Sequence, residues 1–131
     1  MDTILLIEND PTNLLARSLV LRCFGYTVLE ASDRGEAWSC SREHSGTIRL
    51  IMMEVSLNPE GAYEFFTRLQ LVHPQIRALL LTDASSARMA EKFAVPCECY
   101  FLQRPFRADA LADAISGLLD GPKKRAVTSA C

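Results

Sequence analysis

Short apolar runs alternate along the chain with segments whose apolar residues recur every three or four positions. Thr3 to Ile7 is apolar, partly β-branched and closed by Glu8-Asn9-Asp10, which is how a strand buried on both faces reads. Asp10-Pro11 then predicts a helix start, with Asp10 as N-cap and Pro11 at the first helical position. Leu14, Leu15, Ser18, Leu19, Leu21 and Arg22 keep helical spacing, and Gly25 stops that helix. Tyr26 to Leu29 predicts a second strand. Asp33 caps a second helix that carries Ala37, Trp38 and Cys40 inward. Ile48 to Val55 predicts a third strand, apolar until Glu54, and Ser56 to Gly61 a loop. Ala62 to Val72 predicts a helix with Phe65, Phe66, Leu69 and Val72 inward, ended by His73-Pro74. Ile76 to Leu81, ending in Thr82, predicts the fourth strand, Ala84 to Phe93 a weaker helix, and Cys99 to Leu102 the fifth strand. Ala108 to Leu119 predicts the last helix, amphipathic through Leu111, Ala112, Ile115, Leu118 and Leu119 and stopped by Gly121-Pro122.

Strands alternating with helices of about ten residues imply parallel βαβ units with right-handed crossovers. The expected fold is α/β: a doubly wound, five-stranded parallel sheet of the flavodoxin-like order 2-1-3-4-5 with five helices. Residues 1–120 form the expected domain and 121–131 a short polar tail, including Lys123-Lys124-Arg125. In such sheets a site forms at the carboxyl ends of the strands, near the switch point between strands 1 and 3. That rule gathers Glu8, Asn9 and Asp10, Glu54, Thr82-Asp83 and Arg104 around one cleft.

Composition narrows the function classes. The 131 residues fit one domain, and 49% hydrophobic residues are enough for a core. A net charge of −2 gives no global pull toward nucleic acid or membrane. No apolar run reaches membrane-spanning length, and the first strand lacks a basic n-region, so a cytoplasmic location is the default expectation. The five cysteines (Cys23, Cys40, Cys97, Cys99 and Cys131) are an odd count without zinc-ligand spacing, and read as buried or incidental thiols. His44 and His73 fall at helix ends, where histidine is commonly a surface residue. No Gly-rich loop follows the first strand, which disfavours a dinucleotide site.

A strand-end carboxylate flanked by acids can hold Mg²⁺ or act as nucleophile toward a phosphoryl group, with a hydroxyl and a cation opposite to bind its oxygens. Five segments carry a resemblance to the receiver domains of two-component response regulators. They are Ile4 to Pro11; Gly25-Tyr26-Thr27-Val28 with Glu30-Ala31 and Glu36-Ala37; Leu50 to Val55; Leu79-Leu80-Leu81-Thr82; and Tyr100 to Phe106. The resemblance covers residues 3 to 119. It implies that Glu54 stands at the phosphoacceptor position, Glu8 and Asn9 at the acidic pair, Thr82 and Arg104 at the phosphoryl-binding hydroxyl and lysine, and Phe101 at the aromatic switch.

Glu54 is one methylene longer than aspartate, Asn9 is neutral, Arg104 is a forked cation that can pair with Glu54, and Asp83 adds negative charge beside the hydroxyl. Arg34 stands where glycine is common, and the loop after Glu54 looks one residue short. The expectation is a non-enzymatic pseudo-receiver acting by protein contact, with at most a weakened Mg²⁺ site at Asn9 and Glu54. The alternatives are a working phosphoacceptor using Glu54 or Asp10 and fed by a histidine kinase, and a flavodoxin-like small-ligand-binding domain. The implied partners are proteins, a histidine kinase or a downstream effector, rather than nucleic acid or membrane. A homodimer is allowed through the face of the fourth helix, fifth strand and last helix, with Met89, Lys92, Tyr100, Ala108 and Leu111.

Overall fold

A computed structural model describes residues 2–55, 58–83 and 99–120. Its strands are β1 (Thr3–Ile7), β2 (Thr27–Ala31), β3 (Leu50–Glu54), β4 (Arg77–Thr82) and β5 (Cys99–Gln103). Its helices are α1 (Pro11–Cys23), α2 (Arg34–Glu43), α3 (Pro59–Val72) and α4 (Ala108–Leu119). All strand pairs are parallel, in the order β2-β1-β3-β4-β5. The expected α/β sheet is therefore the observed one, with four helices among the described residues. The helix expected over 84–93, with Met89 and Lys92, lies outside them, as do Cys97, Cys131 and the tail. Among the described residues no helix is long and apolar enough to cross a membrane.

Strand alternation builds two cores from one sheet. Leu5, Ile51, Met53, Ala78 and Leu80 face one way and pack on Ala37 of α2 and Ala62, Phe65, Phe66 and Leu69 of α3. Ile4, Leu6, Leu50, Met52, Leu79 and Leu81 face the other way, onto Leu21 of α1 and Leu111, Ala114, Ile115 and Leu118 of α4. Both faces are covered, so the strands read as apolar runs.

The helix starts follow the sequence. Asp10 Oδ1 accepts from the Thr12 N–H at 2.9 Å, ahead of Pro11. Asp33 Oδ1 accepts from the Glu36 N–H at 2.7 Å, while Glu36 Oε1 accepts from the Ser32 N–H at 2.6 Å. Asn58 caps α3, which starts at Pro59, earlier than the expected Ala62. The turn after α1 uses Gly25 at φ 97°, a backbone conformation that suits glycine.

Three packing expectations are corrected. Leu15 and Leu19 are exposed, because α1 turns the Ser18–Leu21 stripe to the sheet instead. Val72 is exposed, since it lies past the last turn of α3 that contacts the sheet. Leu111, expected on a docking face, is buried against the sheet; Tyr100 is half-buried, and Ala108 is exposed.

His73 is a further correction, being only 7% exposed. Its Nε2 lies 2.7 Å from the Ser41 carbonyl oxygen, and Nδ1 accepts from the Ile48 N–H at 3.4 Å. With Nδ1 accepting, Nε2 carries the proton and donates. The ring thus bolts the end of α2 to the segment entering β3. His73→Leu leaves both backbone groups unpaired and is expected to cost about 1–3 kcal/mol. The check is a lower urea midpoint at unchanged slope.

Candidate functional site

The register fixes which strand ends meet. β1 and β3 pair as Leu6↔Met52, and two residues further the same offset sets Glu8 beside Glu54. β4 and β5 pair as Thr82↔Gln103, and the next step sets Asp83 beside Arg104. Alternation groups Glu8 with Ile4 and Leu6, and Glu54 with Leu50 and Met52, on the sheet face covered by α1 and α4.

The charges at this edge are interlocked. One Arg104 terminal nitrogen pairs with Glu54 Oε2 and, at 2.9 Å, with Asp83 Oδ1. Arg104 Nε also donates to Asp83 Oδ1, at 3.2 Å. The guanidinium therefore straps the ends of β3 and β4 together. The forked contact falls on Asp83, not on Glu54 as expected from the side chains alone. Glu8 pairs with Arg17 of α1, and its second oxygen accepts from the Asp10 N–H at 3.1 Å.

Glu8, Glu54, Asp83 and Arg104 line a cleft of about 470 Å³ with Asn9, Met53, Ser32, Asp33, Arg34 and Asn58 among its walls. Of the residues named from the sequence, Glu8, Asn9, Glu54, Asp83 and Arg104 line it. Asp10 is adjacent but committed to capping α1. Thr82 is fully buried at the end of β4, where alternation groups it with Ala78 and Leu80, and its carbonyl accepts from the Arg104 N–H at 2.8 Å. Phe101 packs, half-buried, against the core of α2 and α3.

Arg34 reaches across the mouth, its guanidinium 3.5 Å from the Asn58 carbonyl. The glycine at 61 permits this approach: a Cβ there would lie 2.3 Å from Asn58 Nδ2 and 2.8 Å from the Arg34 guanidinium.

Arg17 was not legible as a site residue. The available signal was a charged side chain inside the inward stripe Leu14–Ser18–Leu21, where a cation needs a partner. A Mg²⁺ ion tested against this donor set meets two carboxylates that each already face a guanidinium. Among the described residues no three His, Cys, Asp or Glu side chains converge as a metal-ligating group.

Among the described residues, Cys23, Cys40 and Cys99 do not line the cleft. Burial first, then the charges of Glu36 and Glu43, push the Cys40 thiol up and keep it a poor nucleophile at neutral pH.

The family model described as response regulator receiver domain matches residues 4–116. The sensor kinase CckA of Brucella abortus (strain 2308) is 24% identical over 118 residues, which are 90% of this chain and 12% of that protein. The chain thus spans a small part of that curated relative. A response regulator from Thermotoga maritima superposes with a TM-score of 0.77 at 19% identity, covering 92% of this chain and 99% of that one. The chemotaxis protein CheY4 of Vibrio cholerae gives a TM-score of 0.74 at 22% identity over 91% and 99%. The receiver domain of the hybrid histidine kinase CckA gives 0.71 at 22% identity over 89% and 98%. At these identities the structural likenesses carry the fold.

Proposed function

The chain belongs to the response regulator receiver domain family, and from that premise we propose that it signals by protein contact without taking a phosphoryl group. As a receiver domain it is a signalling module of a two-component system. In this reading Glu54 stands in the acceptor's place, Asn9 and Glu8 in the acidic pair's, and Thr82 and Arg104 in the phosphoryl-binding positions.

The observation that carries the reading is the Arg104 strap. Glu54 is ion-paired with a guanidinium that also holds Asp83. An attacking carboxylate needs a free oxygen aligned with the incoming phosphorus, and phosphoryl transfer depends mostly on such positioning. Glu54 is both too long and engaged. Asp10, the other acceptor considered, spends its carboxylate on the α1 N-terminus.

The strap also ties together the ends of β3, β4 and β5, the arrangement a bound phosphoryl group would otherwise have to organise. A histidine kinase or a downstream effector is the partner class that fits the family. The fifth-strand face, with Tyr100 and Ala108, remains the proposed contact for a second copy.

Incubation with acetyl phosphate and Mg²⁺, followed by intact-mass measurement, tests this reading. The expected result is an unchanged mass. A stoichiometric, hydroxylamine-sensitive gain of one phosphoryl group overturns it and favours the working phosphoacceptor.

A further inference from the structure

Glu54 ends β3 and Glu8 follows the last residue of β1; carried two residues past the Leu6↔Met52 pair, the parallel register and strand alternation set them side by side on one face of the sheet. Neighbouring strands lie about 4.8 Å apart, so two carboxylates so placed repel unless a cation answers them. Both side chains are largely withdrawn from water, at 9% exposure for Glu8 and 26% for Glu54, so solvent supplies only part of the compensation. A buried carboxylate left without a partner is strongly destabilising.

The chain answers with its own side chains. Arg17 comes down from the inward face of α1, itself only 17% exposed, and closes on Glu8. Arg104 closes on Glu54 from the end of β5. Arg17 and Arg104 also line one hollow beside Asp83, Pro105 and Phe106, so the two guanidinia bracket the same edge of the sheet.

We propose that Arg17 is a built-in substitute for a divalent cation: its guanidinium neutralises Glu8 from within the fold and closes this strand-end site to Mg²⁺. The inference rests on reading the cleft as a receiver site that takes no phosphoryl group. It adds that the site's resting charge balance is covalently supplied and independent of metal. Because Arg17 sits on α1, the same contact ties that helix to the cleft.

The test is binding of Mn²⁺, with Mg²⁺ as competitor, to the whole chain and to Arg17→Met, read by the paramagnetic signal of free Mn²⁺. The wild-type chain is expected to show no saturable site. Arg17→Met leaves Glu8 uncompensated beside Asn9 and Glu54, and is expected to gain a saturable Mn²⁺ site that holds at least about ten times more ion than the wild type at the same free Mn²⁺. Adding Glu8→Gln to Arg17→Met is expected to abolish the gain.

Saturable, Mg²⁺-competed binding by the wild type overturns the proposal, as does a folded Arg17→Met with no gain. If Arg17→Met unfolds, refolding on adding Mn²⁺ supports it. Failure of Mn²⁺ to refold Arg17→Met, together with no gain in the milder Arg17→Gln, overturns it. Metal binding without a phosphoryl mass gain sinks this inference alone, whereas a mass gain on acetyl phosphate sinks the reading beneath it.

Discussion

The combined variant Glu54→Asp, Asn9→Asp, Arg104→Lys, Arg17→Met is expected to become a phosphoacceptor, labelled by acetyl phosphate in the presence of Mg²⁺ while the parent chain is not. Each change removes one physical obstacle. Aspartate retracts the carboxylate by about 1.5 Å, one C–C bond. A misplacement of about 1 Å can cost about 10²-fold in a positioned reaction, so this step alone is expected to raise the rate by at least that factor. Aspartate at 9 restores a charged oxygen for Mg²⁺. Lysine at 104 replaces the guanidinium, which now pairs with Glu54 and grips Asp83 through two nitrogens, by a compact ammonium without that fork. Intact mass over time is the measurement. Methionine at 17 frees Glu8, which Arg17 otherwise holds, to face the metal; an inert but folded quadruple variant would place the block elsewhere.

Phe66→Ala is expected to lower stability by about 3–5 kcal/mol, the range for truncating a buried phenylalanine. Phe66 is 1% exposed and sits where α3 meets the sheet, among Leu5, Ile51, Met53 and Ala78. Its removal leaves a void that neighbours on rigid strands cannot fill. For a domain of this size the loss corresponds to a Tm lower by about 10–20 °C, readable by calorimetry or circular dichroism. An exposed control such as Leu71→Ala is expected to change Tm by far less, since Leu71 is 84% exposed. Equal losses for the two would mean that the α3 packing is assigned to the wrong face.

The order and type of the described elements were legible in the chain's apolar pattern and its caps. Parallel strands covered on both faces must be apolar along their length, and Asp10-Pro11, Asp33 and Gly25 carry local stereochemistry that acts whatever the rest of the chain does. The bounds Ala108–Leu119 were legible for the same reason: a strong amphipathic period has one way to lie on a sheet. The strand-end rule brings Glu8, Asn9, Glu54, Asp83 and Arg104 to one cleft, because a parallel sheet brings its carboxyl ends to one edge, but it did not separate them from Asp10, which caps α1, or Thr82, which is buried.

Contacts between partners far apart along the chain arise only on packing. The first helix offers two apolar stripes, Leu14–Ser18–Leu21 and Leu15–Leu19, and only docking on the sheet chose the first. His73 looked like a surface residue until Ser41 and Ile48, both distant in sequence, closed around its ring. Arg17 meets Glu8, and Arg104 divides its grip between Glu54 and Asp83, because the register of the strands and the seating of α1 put those charges within reach. Periodicity reports which face of an element is apolar. Which charge answers which other charge is fixed only when the elements pack, since Coulomb attraction depends on distance through space rather than along the chain.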